Sequence, residues 1–248
     1  MNTALLIEPR QMDICPAVIR NFQEVLNKDW KFIFLCGAGM TSYYTPLLKD
    51  LPLPVELREL KVNDLPCAQY NKLLTTRELW ESLDGEFVLV FQADTWLNKD
   101  CSRTIDEYLK YSYVGGNRNY HWKELKYLTT PHNPYGPFNG GLSLRRRLDM
   151  IRIIDHIQTL HLYIELNGKN LHITEIGEDV IFTMGCYMLG LPIGDSGLAD
   201  TFCLHSILIP DPFGFHVQYW NKRLIQHTIQ LFPDLKRSLY PKLLKPSS

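Results

Sequence analysis

The chain has 248 residues, 45% of them hydrophobic and 21% charged, and a formal net charge of −1. This length and balance fit a globular α/β domain with one large core and exclude a disordered or fibrous chain. The basic residues are spread along the sequence, so neither nucleic acid nor an anionic membrane surface is an expected partner.

The opening MNTALLIEPR holds four apolar residues in a row before Glu8 and Pro9. That is too short for a signal-peptide core or a spanning helix, and no later stretch spans a bilayer either. Six widely separated cysteines without a CxxC pair read as reduced thiols. The expected setting is the cytoplasm or the cytosolic face of a membrane, with no integral membrane segment.

In chain order, apolar runs of strand type alternate with segments of helical period. ALLIE (4–8) is followed by a helix near 15–27, KFIFLCG (31–37), VELREL (55–60), a helix near 67–82 and EFVLVFQ (86–92). Parallel neighbours need crossovers and helices supply them, so the pattern predicts an α/β fold with a largely parallel sheet covered on both faces. Gly37-Ala38-Gly39 is a turn and no GxGxxG is present, so a dinucleotide cofactor is not expected. Residues 113–141, rich in Gly, Asn, Pro, Tyr and His, read as a long surface loop. Its Tyr120, His121, Trp122 and Tyr135 are acceptor or lid candidates, or an ordinary surface. A short strand and a helix follow, then a helix over 177–190 with acids in its first turn, then a tail with one more helix. The expectation is one domain over 1–248, with a nucleotide-binding half to about 112 and an acceptor and catalytic half from about 113.

Four segments carry chemistry. Asp94 follows the most hydrophobic strand, at the strand end where open α/β sheets bind ligands. An acid there can hold a divalent ion that neutralises a diphosphate, although a lone aspartate also reads as a turn or cap. In FNGGLSLRR (138–146), Gly140 and Gly141 let backbone approach a ligand closely, or form a turn. Glu178 and Asp179 open a helix, where one carboxylate can act as a general base and the other orient a hydroxyl, or both serve the helix dipole. His216, in PFGFHVQYW (212–220), is a packing residue or, near an acid, a metal ligand.

In order and spacing these segments resemble the core of GT-A glycosyltransferases: an acid after the fourth strand, a glycine-rich loop, an acidic pair ending in Asp, and a late histidine. GEDVIFTMGCYMLGLP resembles the EDV helix of β-1,3-galactosyl- and N-acetylglucosaminyltransferases. Together IEPR, YNKLL, LWESL, VLVFQAD, NGGLSLRR, GEDV and FGFH are similar to a glycosyltransferase-like family of uncharacterised members. The resemblance implies a Rossmann-like α/β/α GT-A fold and transfer of a sugar from a nucleotide-sugar, UDP- or GDP-linked, to a hydroxyl of a glycan or glycoprotein, metal-assisted and inverting.

Carried over, Asp94 and His216 would bind manganese or magnesium. Asn139, Gly140 and Gly141 would frame the donor sugar, with Gln92 and Ala93 beside Asp94. Asp179 would be the base, with Glu178 next to it. Glu8, Pro9 and Arg10 would hold the nucleoside, with Tyr70, Asn71 and Leu74 lining the same pocket. The DxD pattern is broken, because Gln92 replaces its first acid. Arg145, Arg146 and Arg147 are therefore candidates for the phosphates, and His205 is an alternative late histidine. The broken motif also raises a second reading, a sugar-nucleotide or glycan-binding module that no longer catalyses.

Overall fold

The computed structural model describes residues 1–117, 138–160, 163–166, 169–206, 208–216, 226 and 228–230. Two apolar runs organise it, β1 (Asn2–Glu8) and β4 (Phe87–Phe91), and β4 is buried along its whole length. Runs without a polar face belong in mid-sheet, where both faces are covered. Around them β2 (Trp30–Cys36), β3 (Val55–Glu59), β6 (Tyr113–Asn117) and β7 (Phe138–Arg146) complete a six-stranded sheet in the order β3-β2-β1-β4-β7-β6. β3, β2, β1 and β4 are parallel, whereas β7 is antiparallel to both β4 and β6. The expected mixed, mostly parallel sheet is observed. The chain leaves β1 for β2 and β3, then returns to the other side of β1 as β4, so the strand order reverses between β1 and β4. Ligands of open α/β sheets bind outside the carboxyl ends of strands at such a reversal.

Helix α1 (Cys15–Val25) turns Val18, Ile19 and Phe22 inward, the spacing of one apolar helix face. Phe22 stacks on Phe91 with ring centroids 4.0 Å apart. On the same helix Asn21 is buried and grips the backbone of β5 (Thr95–Leu97). Its amide donates to the Leu97 carbonyl at 3.0 Å and accepts from the Leu97 N–H at 2.7 Å. Breaking this grip would strand two buried backbone groups, each costing about 1–3 kcal/mol. β5 leads a smaller three-stranded sheet with β10 (Cys203–Leu204) and β11 (Gly214–His216).

Helix α2 (Thr41–Leu48) follows β2, and the expected helix near 67–82 is two, α3 (Cys67–Leu74) and α4 (Arg77–Glu81). The break falls at Thr75 and Thr76, whose hydroxyls donate to the Asn71 and Lys72 carbonyls and compete with the backbone ladder. Helices α5 (Arg147–Gln158) and α6 (Glu178–Met188) pack closely, and a Cβ on Gly185 would overlap Ile153. The hairpin of β8 (Tyr163–Leu166) and β9 (Lys169–His172) lies between these helices in sequence, and α7 (Ser196–Phe202) precedes β10.

The long loop expected over 113–141 is corrected at both ends, because Tyr113–Asn117 and Phe138–Arg146 are paired strands with a register shift between Gly115 and Gly116. Glycine and asparagine, poor strand formers, hid them. Tyr120, His121, Trp122 and Tyr135 lie outside the described residues, as does most of the tail; residues 226 and 228–230 are helical. Among the described residues no helix is long and apolar enough to cross a membrane.

Candidate functional site

Leu6 of β1 pairs with Phe91 of β4, so the residues just beyond both strands emerge side by side. They open a cleft of about 310 Å³. Seven of the residues expected to bind a nucleotide-sugar line it: Glu8, Pro9, Arg10, Tyr70, Gln92, Ala93 and Asp94. Met12, Asp64, Leu65 and Cys67 also line it; the first three sit beside turns without periodicity, Cys67 opens α3, and nothing in the sequence marked them as site residues. Buried Glu8 holds Arg10 by two side-chain hydrogen bonds, 2.8 Å from Nε and 2.7 Å from Nη2, and accepts the Arg10 backbone N–H at 3.0 Å. The guanidinium therefore stands at the cleft lip with its side chain 61% exposed, within the field of Asp64 and Asp94. Tyr70 comes from α3 with its hydroxyl buried beside Gln92, yet without a hydrogen bond of full geometry. Burial pushes its phenol pKa up, and the nearby Glu178 charge adds to this.

Strand register brings His216 to Asp94. β11 runs antiparallel to β5 with His216 opposite Thr95, and His216 Nε2 lies 3.3 Å from Asp94 Oδ1. The other ring nitrogen, Nδ1, is 2.7 Å from Asn139 Oδ1. That atom also accepts the Gly141 N–H at 2.8 Å, which fixes it as the amide oxygen. Nδ1 must therefore donate to it. Nε2 then meets the carboxylate either as the N–H of an imidazolium or as a lone pair sharing a cation with Asp94. The second arrangement is that of a metal-ligating histidine whose far nitrogen is held by a carbonyl. Phe91 pairs with Leu142, so Gln92 comes opposite Gly141, where a Cβ would overlap the His216 ring and approach Gln92 Oε1 to 2.8 Å. Glycine is required there by contact.

One carboxylate and one imidazole can share a divalent ion. Two ligand atoms each about 2.1 Å from such an ion and at right angles are about 3 Å apart, close to the 3.3 Å between Asp94 and His216. Among the described residues no group of three or more His, Cys, Asp and Glu side chains could hold a metal. Any remaining ligands would be phosphate or water oxygens, as is usual for magnesium beside a nucleotide.

Several expectations are corrected. Glu178 is 3% exposed, and both its oxygens are engaged by Arg145, at 2.7 and 3.1 Å; it is in no position to orient an acceptor. Arg145 is spent in that pair. Arg146 bonds Glu86 at 2.9 Å and Arg147 the Gly85 carbonyl at 2.8 Å, at the end of β7 far from the cleft. None of the three arginines reaches a phosphate there. Leu74 is fully buried and accepts Trp80 Nε1–H on its carbonyl, and Asn71 faces a different cavity, between α3 and α5. Helical spacing explains both, since only Tyr70 and Cys67, a turn apart, look into the cleft. Asp179 is buried in the first turn of α6 with Oδ1 accepting the Val180 N–H at 2.8 Å, and it is not among the residues lining the cleft. His205 is buried, bonded to Ser206 at 2.9 Å, with its ring centroid 5.4 Å from that of His216. The Asp94 contact belongs to His216.

A family model described as a protein of unknown function, DUF5672, matches residues 57–216, the span from β3 to His216. No curated protein matches the sequence. Among solved structures, the galactosyltransferase LgtC in complex with donor and acceptor sugar analogs is 10% identical with a TM-score of 0.58, over 100% of this chain and 98% of that one. Mouse xyloside xylosyltransferase 1 in its apo form is 11% identical with a TM-score of 0.55, over 88% and 98%. The mannosyltransferase PcManGT from Pyrobaculum calidifontis, in complex with GDP-Man and Mn2+, is 17% identical with a TM-score of 0.53, over 98% and 67%. At these identities the likeness establishes the fold, which is that of the GT-A glycosyltransferases.

Proposed function

The chain belongs to the DUF5672 family, and we propose that it is a glycosyltransferase, one catalytic domain that moves a sugar from a UDP- or GDP-linked donor to a hydroxyl of a glycan or glycoprotein. One observation carries this reading: seven residues expected to bind a nucleotide-sugar converge on one cleft at the strand-order reversal, with Asp94 against His216 at its edge. A fold alone hosts many functions, so the weight rests on that site. With all six cysteines free, a reducing compartment is the proposed setting, in the cytosol or on the cytosolic face of a membrane.

In this scheme Glu8 presents Arg10 to the nucleotide, Gln92 offers an amide to its ribose or phosphates, and Tyr70 forms part of the cleft wall. Asp94 and His216 hold the divalent ion, which when bound supplies charge neutralisation to the leaving diphosphate. Asn139 orients His216 through Nδ1, and bare Gly141 leaves the ring its place. The acceptor oxygen bonds to the anomeric carbon as the carbon–phosphate oxygen bond breaks, with inversion; its proton would pass to Asp179 only where an acceptor reaches the start of α6, because that carboxylate is buried and outside the cleft lining. Glu178, held by Arg145, is not the base. Positioning and stabilisation of the leaving group are the main terms.

A thermal-shift panel of UDP, GDP, CMP and their sugar conjugates, with and without manganese, tests the reading. A ligand at a hundred times its Kd adds about 2.7 kcal/mol, or roughly 5–10 °C for a chain of this size. The expected result is such a rise with one nucleotide family, dependent on manganese and lost in Asp94→Ala. Asp179→Asn should keep the rise and lose transfer; equal transfer rates would remove Asp179 from the role. Gln92, neutral where an acid is usual, favours one second reading, a binding module without catalysis. Binding without transfer in the wild type would select it, and no rise with any nucleotide in folded protein would sink the glycosyltransferase and leave a glycan-binding module.

A further inference from the structure

Arg145 is fully buried, and its partner Glu178 nearly so. Desolvating two charges is costly, and such a pair is often replaceable by hydrocarbon without loss of stability. A role other than stability is therefore worth seeking for it. Burial acts to lower the Arg145 pKa, but the charge and hydrogen bonds of Glu178, with the fields of Tyr113 and Tyr70, together more than offset it, and the guanidinium stays protonated. Besides its two bonds to Glu178, Arg145 donates from Nε to Ser143 Oγ at 2.9 Å and from Nη2 to the Gly140 carbonyl at 3.4 Å. Ser143 Oγ donates to that same carbonyl at 2.9 Å. The guanidinium is boxed by the rings of Trp80, Tyr113 and Phe182 at 5.8, 5.2 and 5.1 Å, which leaves it little freedom.

The pair touches the segment that holds His216, which lies behind the cleft lining, and stands near Tyr70, which lines it. The Glu178 carboxylate lies against Gly140 where a Cβ would overlap it. Gly140 sits between Asn139 and Gly141, the two residues whose atoms fix His216. On the other side, the buried Tyr70 hydroxyl lies in the field of both Glu178 and Arg145.

We propose that Arg145 and Glu178 are a positioning pair, which holds the Asn139–Gly141 segment, and through it His216, in register with Asp94. The proposal rests on the reading of this cleft as a nucleotide-sugar site. It moves Glu178 from proton chemistry to geometry.

The test compares the wild type, Glu178→Gln, and the double variant Arg145→Met/Glu178→Leu. Glu178→Gln leaves a buried cation uncompensated and should lower Tm. The double variant removes both charges at similar volume and should recover most of it. Positioning predicts that stability and geometry part company in the double variant. With Tm restored, it should still bind manganese with UDP or GDP at least ten-fold more weakly than the wild type, and its 138–143 amides should exchange several-fold faster without ligand. Recovery of binding and exchange together with Tm would overturn the proposal and leave the pair as core filling. Should the double variant not fold, exchange in Glu178→Gln decides: acceleration confined to 138–143 supports positioning, and acceleration spread evenly over the sheet overturns it. If the wild type binds neither nucleotide, the donor-site reading fails, while exchange still decides the role of the pair.

Discussion

At the scale of single residues the site depends on contacts between a few polar atoms and two bare Cα positions. Asn139 Oδ1 accepts from both His216 and Gly141, so one amide sets the ring's tautomer and its orientation. A methyl group on Gly141 would meet the His216 ring and the Gln92 amide, and the ring cannot retreat without giving up its contacts with Asn139 and Asp94. Gly141→Ala is therefore expected to fold, with Tm within a few degrees of the wild type, and to lose at least ten-fold in manganese-dependent nucleotide affinity by titration calorimetry. Unchanged affinity would show that His216 placement does not matter to the site. Asp94 was legible as the acid that closes an apolar strand, and Gly140, Gly141 and His216 through the motifs that resemble those of GT-A enzymes. The Arg145–Glu178 pair was not legible, since 33 positions separate its members and an arginine within an LSLRR run looks like surface.

At the scale of elements, β1, β2 and β4 were read with little error, because continuous apolar runs leave no alternative to mid-sheet, whereas buried β6 was hidden by its glycines and asparagine. β5, β10 and β11 were missed: they span three, two and three residues, too short for a period to register. They nevertheless deliver His216 to Asp94, with Asn21 of α1 fixing β5 by its double hydrogen bond. The α5–α6 contact is another element-level feature. Gly185→Ala gains about 1 kcal/mol of helix propensity but forces a Cβ onto the stiff, branched Ile153 side chain, an overpacking that costs about 1–3 kcal/mol. The expected net effect is destabilisation on the order of 1 kcal/mol, a fall in Tm of about 2–4 °C by scanning calorimetry. A raised Tm would mean that the helices part freely and do not fix the start of α6.

For the molecule as a whole, stability at low pH reports how the smaller sheet is tied down. Asp211 accepts from Ser102 through both its hydroxyl and its N–H, and pairs with Arg103, joining the segment after β5 to the approach of β11. The Ser102 hydroxyl holds the Asp211 carboxyl below its ordinary pKa, against a smaller effect of burial. A carboxylate depressed on folding stabilises above its unfolded pKa, and that contribution is lost as pH falls through the folded value. The Tm gap between the wild type and Asp211→Ala should therefore be small, given solvent screening, present at neutral pH, and closed below the usual carboxylate range. A gap that does not change with pH would assign the effect to packing. The sequence by itself determined the class of the fold, its central strands and the residue types of a cleft at their ends, because apolar runs and strand-end acids are local signals. Which residues meet was decided only by the tertiary structure. Register set His216 against Asp94, helical phase sent Tyr70 into the cleft and Asn71 and Leu74 away from it, and burial turned Glu178 toward Arg145; each of these is a relation between segments distant in sequence, fixed only when the elements pack.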